Sequence, residues 1–167
     1  MPELTVQFTK RADGEVVLRC VRADGSATWQ RHPAKQALFF ALHDLTHYAV
    51  ETELGFRAGF YGLLAAGWDI NDTGGKSARG PLPPEAVIVE NIVGLLSVEG
   101  TSRRDWTAAE FNEQAEAFAN TRGLPRPRQL TDAELARVRT RIQNLFAQWA
   151  EVETSATLEL LFDRAVD

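Results

Sequence analysis

The stretch Ala37–Leu54, ALFFALHDLTHYAVETEL, decides how the rest of this chain is read. It runs without glycine or proline, which predicts one continuous helix. At about 100° per residue, His47 stands about 40° round from His43 and one turn along, and Glu51 follows at the same offset. The three side chains form a short polar ridge. Leu38, Leu42, Leu45 and Ala49 oppose the ridge, while Phe39, Phe40, Val50 and Leu54 border it. The helix is therefore expected to be enclosed on most sides, and its histidines to find partners other than water.

Upstream, residues 4–30 alternate apolar and polar positions in three runs separated by Asp13-Gly14 and Asp24-Gly25. Asp-Gly supplies the positive φ that tight hairpins require, so a three-stranded meander is predicted over residues 1–31. Val6 and Phe8 face the core from the first strand. On the second, either Val16, Leu18 and Cys20 or Val17, Arg19 and Val21 do so. Pro33 suits the first position of the following helix, with His32 exposed just before it.

Downstream, Gly55 ends the helix and a second is predicted over residues 56–68, where Gly55, Gly59 and Gly62 permit close backbone approach. Residues 69–84 have loop composition, long enough to act as a lid or binding loop. The loop echoes a calcium-binding motif at Asp69, Asn71 and Thr73 but carries Gly80 where the bidentate glutamate is required. Lys76 and Arg79 are its candidate contacts to an anionic substrate, or plain solvated charges. A third helix is predicted over residues 85–98, with Glu90 projecting from an apolar or small-residue face that includes Val93, Gly94 and Ser97. A buried carboxylate must be paired, protonated or bound to a cation.

Thr107 with Glu110 and Thr131 with Glu134 read as capping boxes that open two further helices. The second of these places Leu135, Val138, Ile142, Leu145, Phe146, Trp149 and Val152 on one stripe. The tail alternates over residues 156–163, as a closing strand beside the N-terminal sheet or as continued helix. The four tryptophans are assigned to core and hinge positions. The expectation is an α+β chain, one domain over residues 1–167, with a small antiparallel sheet packed on about five helices in residues 33–153.

A length of 167 residues suffices to bury a core without staples. The net charge of −5 and pI near 5.3 argue against a general nucleic-acid binder. One cysteine, Cys20, precludes an internal disulfide, and the first residues have no signal-peptide core, so the cytoplasm is the expected compartment. No apolar run reaches the roughly 20 residues of a membrane span.

Two histidines at i and i+4 suit one metal ion, zinc first, with iron or manganese open. A carboxylate would complete the set, with Glu90 from a packed neighbouring helix preferred as third ligand and Glu51 supporting from behind. Asp44 follows His43 where zinc metalloproteases of the His-Glu-x-x-His type place their general base, so it is the candidate base or imidazole orienter. The segment His43-Asp44-x-x-His47 also resembles the His-Asp-x-x-His zinc motif of a ubiquinone-biosynthesis protein family. That family is mostly helical and implicated in decarboxylation of quinone precursors. Its further glutamate lies twelve positions after the second histidine, where this chain has Gly59. The resemblance covers five residues and implies only that the pattern can hold a divalent metal outside peptidases. Two functions are carried forward. One is a metal-dependent enzyme, hydrolytic by default, acting on a small molecule. The other is a non-enzymatic domain that binds a partner or a second copy of itself, with the histidines hydrogen-bonded to Glu51, Glu90, Tyr48 or Tyr61.

Overall fold

The computed structural model describes residues 2–76 and 78–163. Strands β1 (Leu4–Lys10), β2 (Val16–Arg22) and β3 (Ala27–His32) form the predicted meander, and β4 (Thr157–Phe162) closes it. All neighbours pair antiparallel in the order β3-β2-β1-β4. Both hairpins use the same four residues, Arg-Ala-Asp-Gly, at 11–14 and 22–25. In each the aspartate accepts the amide two residues on, and the glycine takes φ 84°. These are three-residue loops with glycine at the left-handed position, and they fix the register of the sheet.

Leu4, Val6, Phe8, Val16, Leu18, Cys20, Leu160 and Phe162 face the core, so the second strand buries its Val16 set. On the other face Arg19 donates to Gln7 and Gln7 to Glu159, a polar ladder across three strands. Trp29 lies opposite Arg19 on that outer face and is 59% exposed. It is therefore not a core residue, as its position was expected to be, because period-2 alternation carries it to the solvent side.

Helix α1 (Ala37–Leu54) crosses the inner face, after one loose turn that begins at Pro33 rather than a full helix start. Leu45, Tyr48 and Ala49 pack into a sheet-side core with Leu145 and Trp149, whereas Val50 and Leu54 belong to a second, helical core. One helix thus serves as the wall between two cores. Its first turn is enclosed on one side alone: Ala37 is buried, but Leu38 is 64% and Phe39 67% exposed.

Helix α2 (Phe60–Ala65) is shorter than predicted. The amides of Arg57 and Ala58 go to the Glu85 carboxylate at 2.7 and 2.6 Å, so residues 56–59 are held outside any helix. A short 3-10 turn, Ile70–Gly74, occupies part of the loop. Helix α3 (Pro84–Ser102) runs one turn beyond its predicted end, passing through Gly100. Helices α4 (Ala108–Arg122) and α5 (Asp132–Glu151) both open with complete capping boxes. Leu135, Val138, Leu145 and Trp149 of the α5 stripe are buried. Buried Glu99 of α3 accepts two hydrogen bonds from Arg139 of α5 and one from the Trp106 amide, a satisfied ion pair between the two helices. Among the described residues no helix is long and apolar enough to cross a membrane.

Candidate metal centre

The histidines of α1 stand one turn apart with ring centroids 4.9 Å from each other, so both imidazoles leave the helix on one side. Helix α3 packs against that side and brings Glu90 between them. Its Oε2 lies 2.8 Å from His47 Nε2 and its Oε1 3.6 Å from His43 Nε2. One ligand atom from each of His43, His47 and Glu90 falls within 4.8 Å of the others.

Behind His47 stands Glu51, on the next turn of the same helix. Its Oε1 is 3.4 Å from His47 Nδ1, and the carboxylate is completely buried. Burying a carboxylate requires donors. The first turn of α2 supplies them, with the Tyr61 amide donating to Oε1 at 3.2 Å and the Gly62 amide to Oε2 at 3.0 Å. A Cβ at position 59 would stand 2.5 Å from the Glu51 carboxyl carbon. Gly59, the position where the ubiquinone-family motif has its glutamate, is thus the space into which Glu51 reaches. Glu51 lies behind His47 and not beside the three clustered atoms.

The electrostatics follow from this enclosure. Burial acts to lower the His47 pKa, but the hydrogen bonds to Glu51 and Glu90, together with the negative charges of both, outweigh it and push it up to about 9. His43 moves the other way, through burial and then repulsion from His47. The hydrogen bond from His47 holds the Glu90 carboxyl below its ordinary range.

Exposure rises steeply across the cluster: the side chain of His47 is 4% exposed, of His43 26% and of Glu90 60%. The buried Glu90 expected from its apolar neighbours is not found: Ala86 and Val93 of that face are buried, but the Glu90 side chain emerges beside them, and two cavities flank the cluster. One, of about 350 Å³, is bordered by His47, Phe60 and Glu90 and by Thr73, Gly74 and Leu82 of the loop. The other, of about 560 Å³, opens beside His43 between α1, α3 and α5.

The remaining predicted residues lie elsewhere. Asp44, about 100° round the helix from His43, points to β3, where its Oδ2 is 3.0 Å from His32 Nε2. His32 is 3% exposed and stacks on Phe40, a correction to its expected exposure. It shares the inward register with buried Thr28, an alternation that could have signalled it. The structure thus sets Asp44 in a buried pair apart from the clustered ligand atoms. Arg79 donates to the Gly67 carbonyl, lies over the Trp68 ring and approaches Asp72, which ties down the loop. Lys76 is exposed. Neither borders the 350 Å³ cavity; the loop reaches it through Thr73, Gly74 and Leu82 instead.

No family model, curated protein or solved structure matches this chain. The functional reading therefore rests on the geometry alone.

Proposed function

We propose that the chain binds one divalent metal ion, zinc first, through His43, His47 and Glu90, and uses it in the cytoplasm to act on a small molecule, with hydrolysis as the reaction class. The observation that carries this reading is the convergence of three ligand atoms within 4.8 Å, two from one rigid helix and one from its neighbour. Charge supports it. Two neutral imidazoles with the Glu51 and Glu90 carboxylates sum to −2, which a divalent ion balances. Glu51 then plays the part that a carboxylate behind a ligand histidine plays generally, holding its Nδ1–H and leaving Nε2 free for the metal.

Zinc favours nitrogen and oxygen ligands, and three protein ligands leave a position open, as in catalytic zinc sites. A bound zinc ion supplies a water whose pKa falls to about 7. The adjoining cavities give a small molecule room to approach that position.

A second reading is favoured by the present hydrogen bonds. Glu90 already lies against both imidazoles, and His47 has a carboxylate at each nitrogen. On that reading the cluster is a structural network joining α1 to α3, and the chain works by binding a partner or a second copy.

The two separate in a turnover assay. Metal-stripped chain and chain reloaded with zinc, manganese or iron are compared on a panel of small esters, amides and phosphate esters. The proposal expects metal-dependent hydrolysis that is lost in Glu90→Gln. Equal inactivity of every metal form across the panel favours the structural network.

A further inference from the structure

The larger cavity gives the proposed site a substrate class. It holds about 560 Å³ and abuts the ligand cluster directly, because His43 lines it. Its α1 wall is otherwise Phe39, Leu42 and Thr46, and its α5 wall Ile142 and Phe146. Among the described residues no lysine, arginine, aspartate or glutamate borders it. Its hydroxyls are also turned away from a ligand: Thr46 donates to the Leu42 carbonyl, Ser97 to that of Val93 and Thr101 to that of Ser97. Their protons are committed to the helix backbone and are not offered to a ligand. The imidazole of His43 is the polar group of this wall that remains, and it stands at the end nearest Glu90.

The α3 wall contains Gly94 and Gly100, both inside the helix. Glycine is the poorest helix former after proline. Neither position needs it for packing, since a Cβ at either would meet nothing within 4 Å, and neither has a positive φ. What the two glycines do is keep the cavity wide. Gly94 stands one turn after Glu90 on the same helix, so the widened floor leads straight to the proposed metal ligand.

We infer that this cavity receives the uncharged, apolar body of the substrate, an alkyl or aryl chain, while the reacting head group lies at the His43–His47–Glu90 end. The inference rests on the metal-site reading and adds the substrate's chemistry to it. A charged body would lose its hydration with nothing in the wall to replace it. An apolar one strengthens binding roughly fourfold for each methylene fully buried.

The test uses two zinc-binding probes that differ only in chain length, acetohydroxamate and octanohydroxamate, titrated calorimetrically against zinc-loaded wild type and Gly94→Leu. Zinc content and thermal unfolding are measured on both proteins. The expected result is that octanohydroxamate binds wild type at least about 100-fold more tightly than acetohydroxamate. In Gly94→Leu that preference falls at least tenfold, while zinc content is kept and the melting temperature does not fall. Zinc at one per chain with equal affinity for both probes leaves the metal site standing and overturns the apolar-body inference. Absence of zinc from the cluster overturns both. Sedimentation adds a last outcome: a wild-type dimer that Gly94→Leu converts to monomer, without chain-length preference, assigns the cavity to a second copy and overturns the inference.

Discussion

Glu51 and Asp44 are carboxylates of one helix, both within reach of an imidazole, and their surroundings give them different work. Glu51 is fixed by two backbone amides and meets His47, whereas Asp44 meets His32 on the sheet side. Removing the charge of Glu51 is expected to weaken zinc binding about 10–100-fold. Asp44→Asn is expected to leave zinc binding unchanged and to cost about 1–3 kcal/mol of stability, because His32 stays buried with a poorer partner. Competition titration with a zinc indicator and urea unfolding read the two effects. A loss of zinc affinity in Asp44→Asn equal to that in Glu51→Gln would return Asp44 to the site. The ridge of His43, His47 and Glu51 was legible because helical period alone places it. The partners of His32 and the exposure of Glu90 were not, because they depend on how β3 and α3 pack, which no local pattern states.

At the level of elements, the capping boxes were the clearest signals in the chain, since each is a local bargain between one side chain and its own helix. Thr131→Ala is expected to cost about 1 kcal/mol. Glu134 adds a pH signature. Its carboxyl is held below the usual range, first by Arg128 and then by the Thr131 amide. A lowered native pKa stabilises fully above the unfolded value near 4.5 and is lost as pH falls through the native one. Glu134→Gln keeps the cap and loses the ion pair. Its melting temperature should therefore lie below that of wild type at pH 7, and the gap should narrow as the pH falls below 4.5 and through the native pKa; a gap that does not narrow on acidification would place the effect elsewhere. The meander and the α5 stripe were equally legible, from period and turn chemistry. The short α2 was not, because its start is set by Glu51 and Glu85 reaching in from other helices. Nor did the wheel of α1 say that Leu38 and Phe39 would lie uncovered.

Across the whole molecule, the sheet and the helical layer meet at α1, and the candidate site sits where α3 and the start of α2 are pinned to it. β4 settles the tail as a strand: it pairs along β1 from Leu4↔Phe162 to Thr9↔Thr157, and Tyr48 of α1 donates to its Leu161 carbonyl. The cluster is thus assembled only by the complete fold, from residues 43 positions apart in sequence. An ion that binds the folded chain and not the unfolded one must stabilise it, by an amount that grows with free metal. The most direct measurement is the zinc bound per chain in protein purified without a histidine tag, for wild type, His43→Ala, His47→Ala and Glu90→Gln. The account predicts one zinc per wild-type chain, a raised melting temperature that chelation reverses, and loss of both in each variant. Wild type that takes up no zinc, or variants that take up as much as wild type, would contradict it.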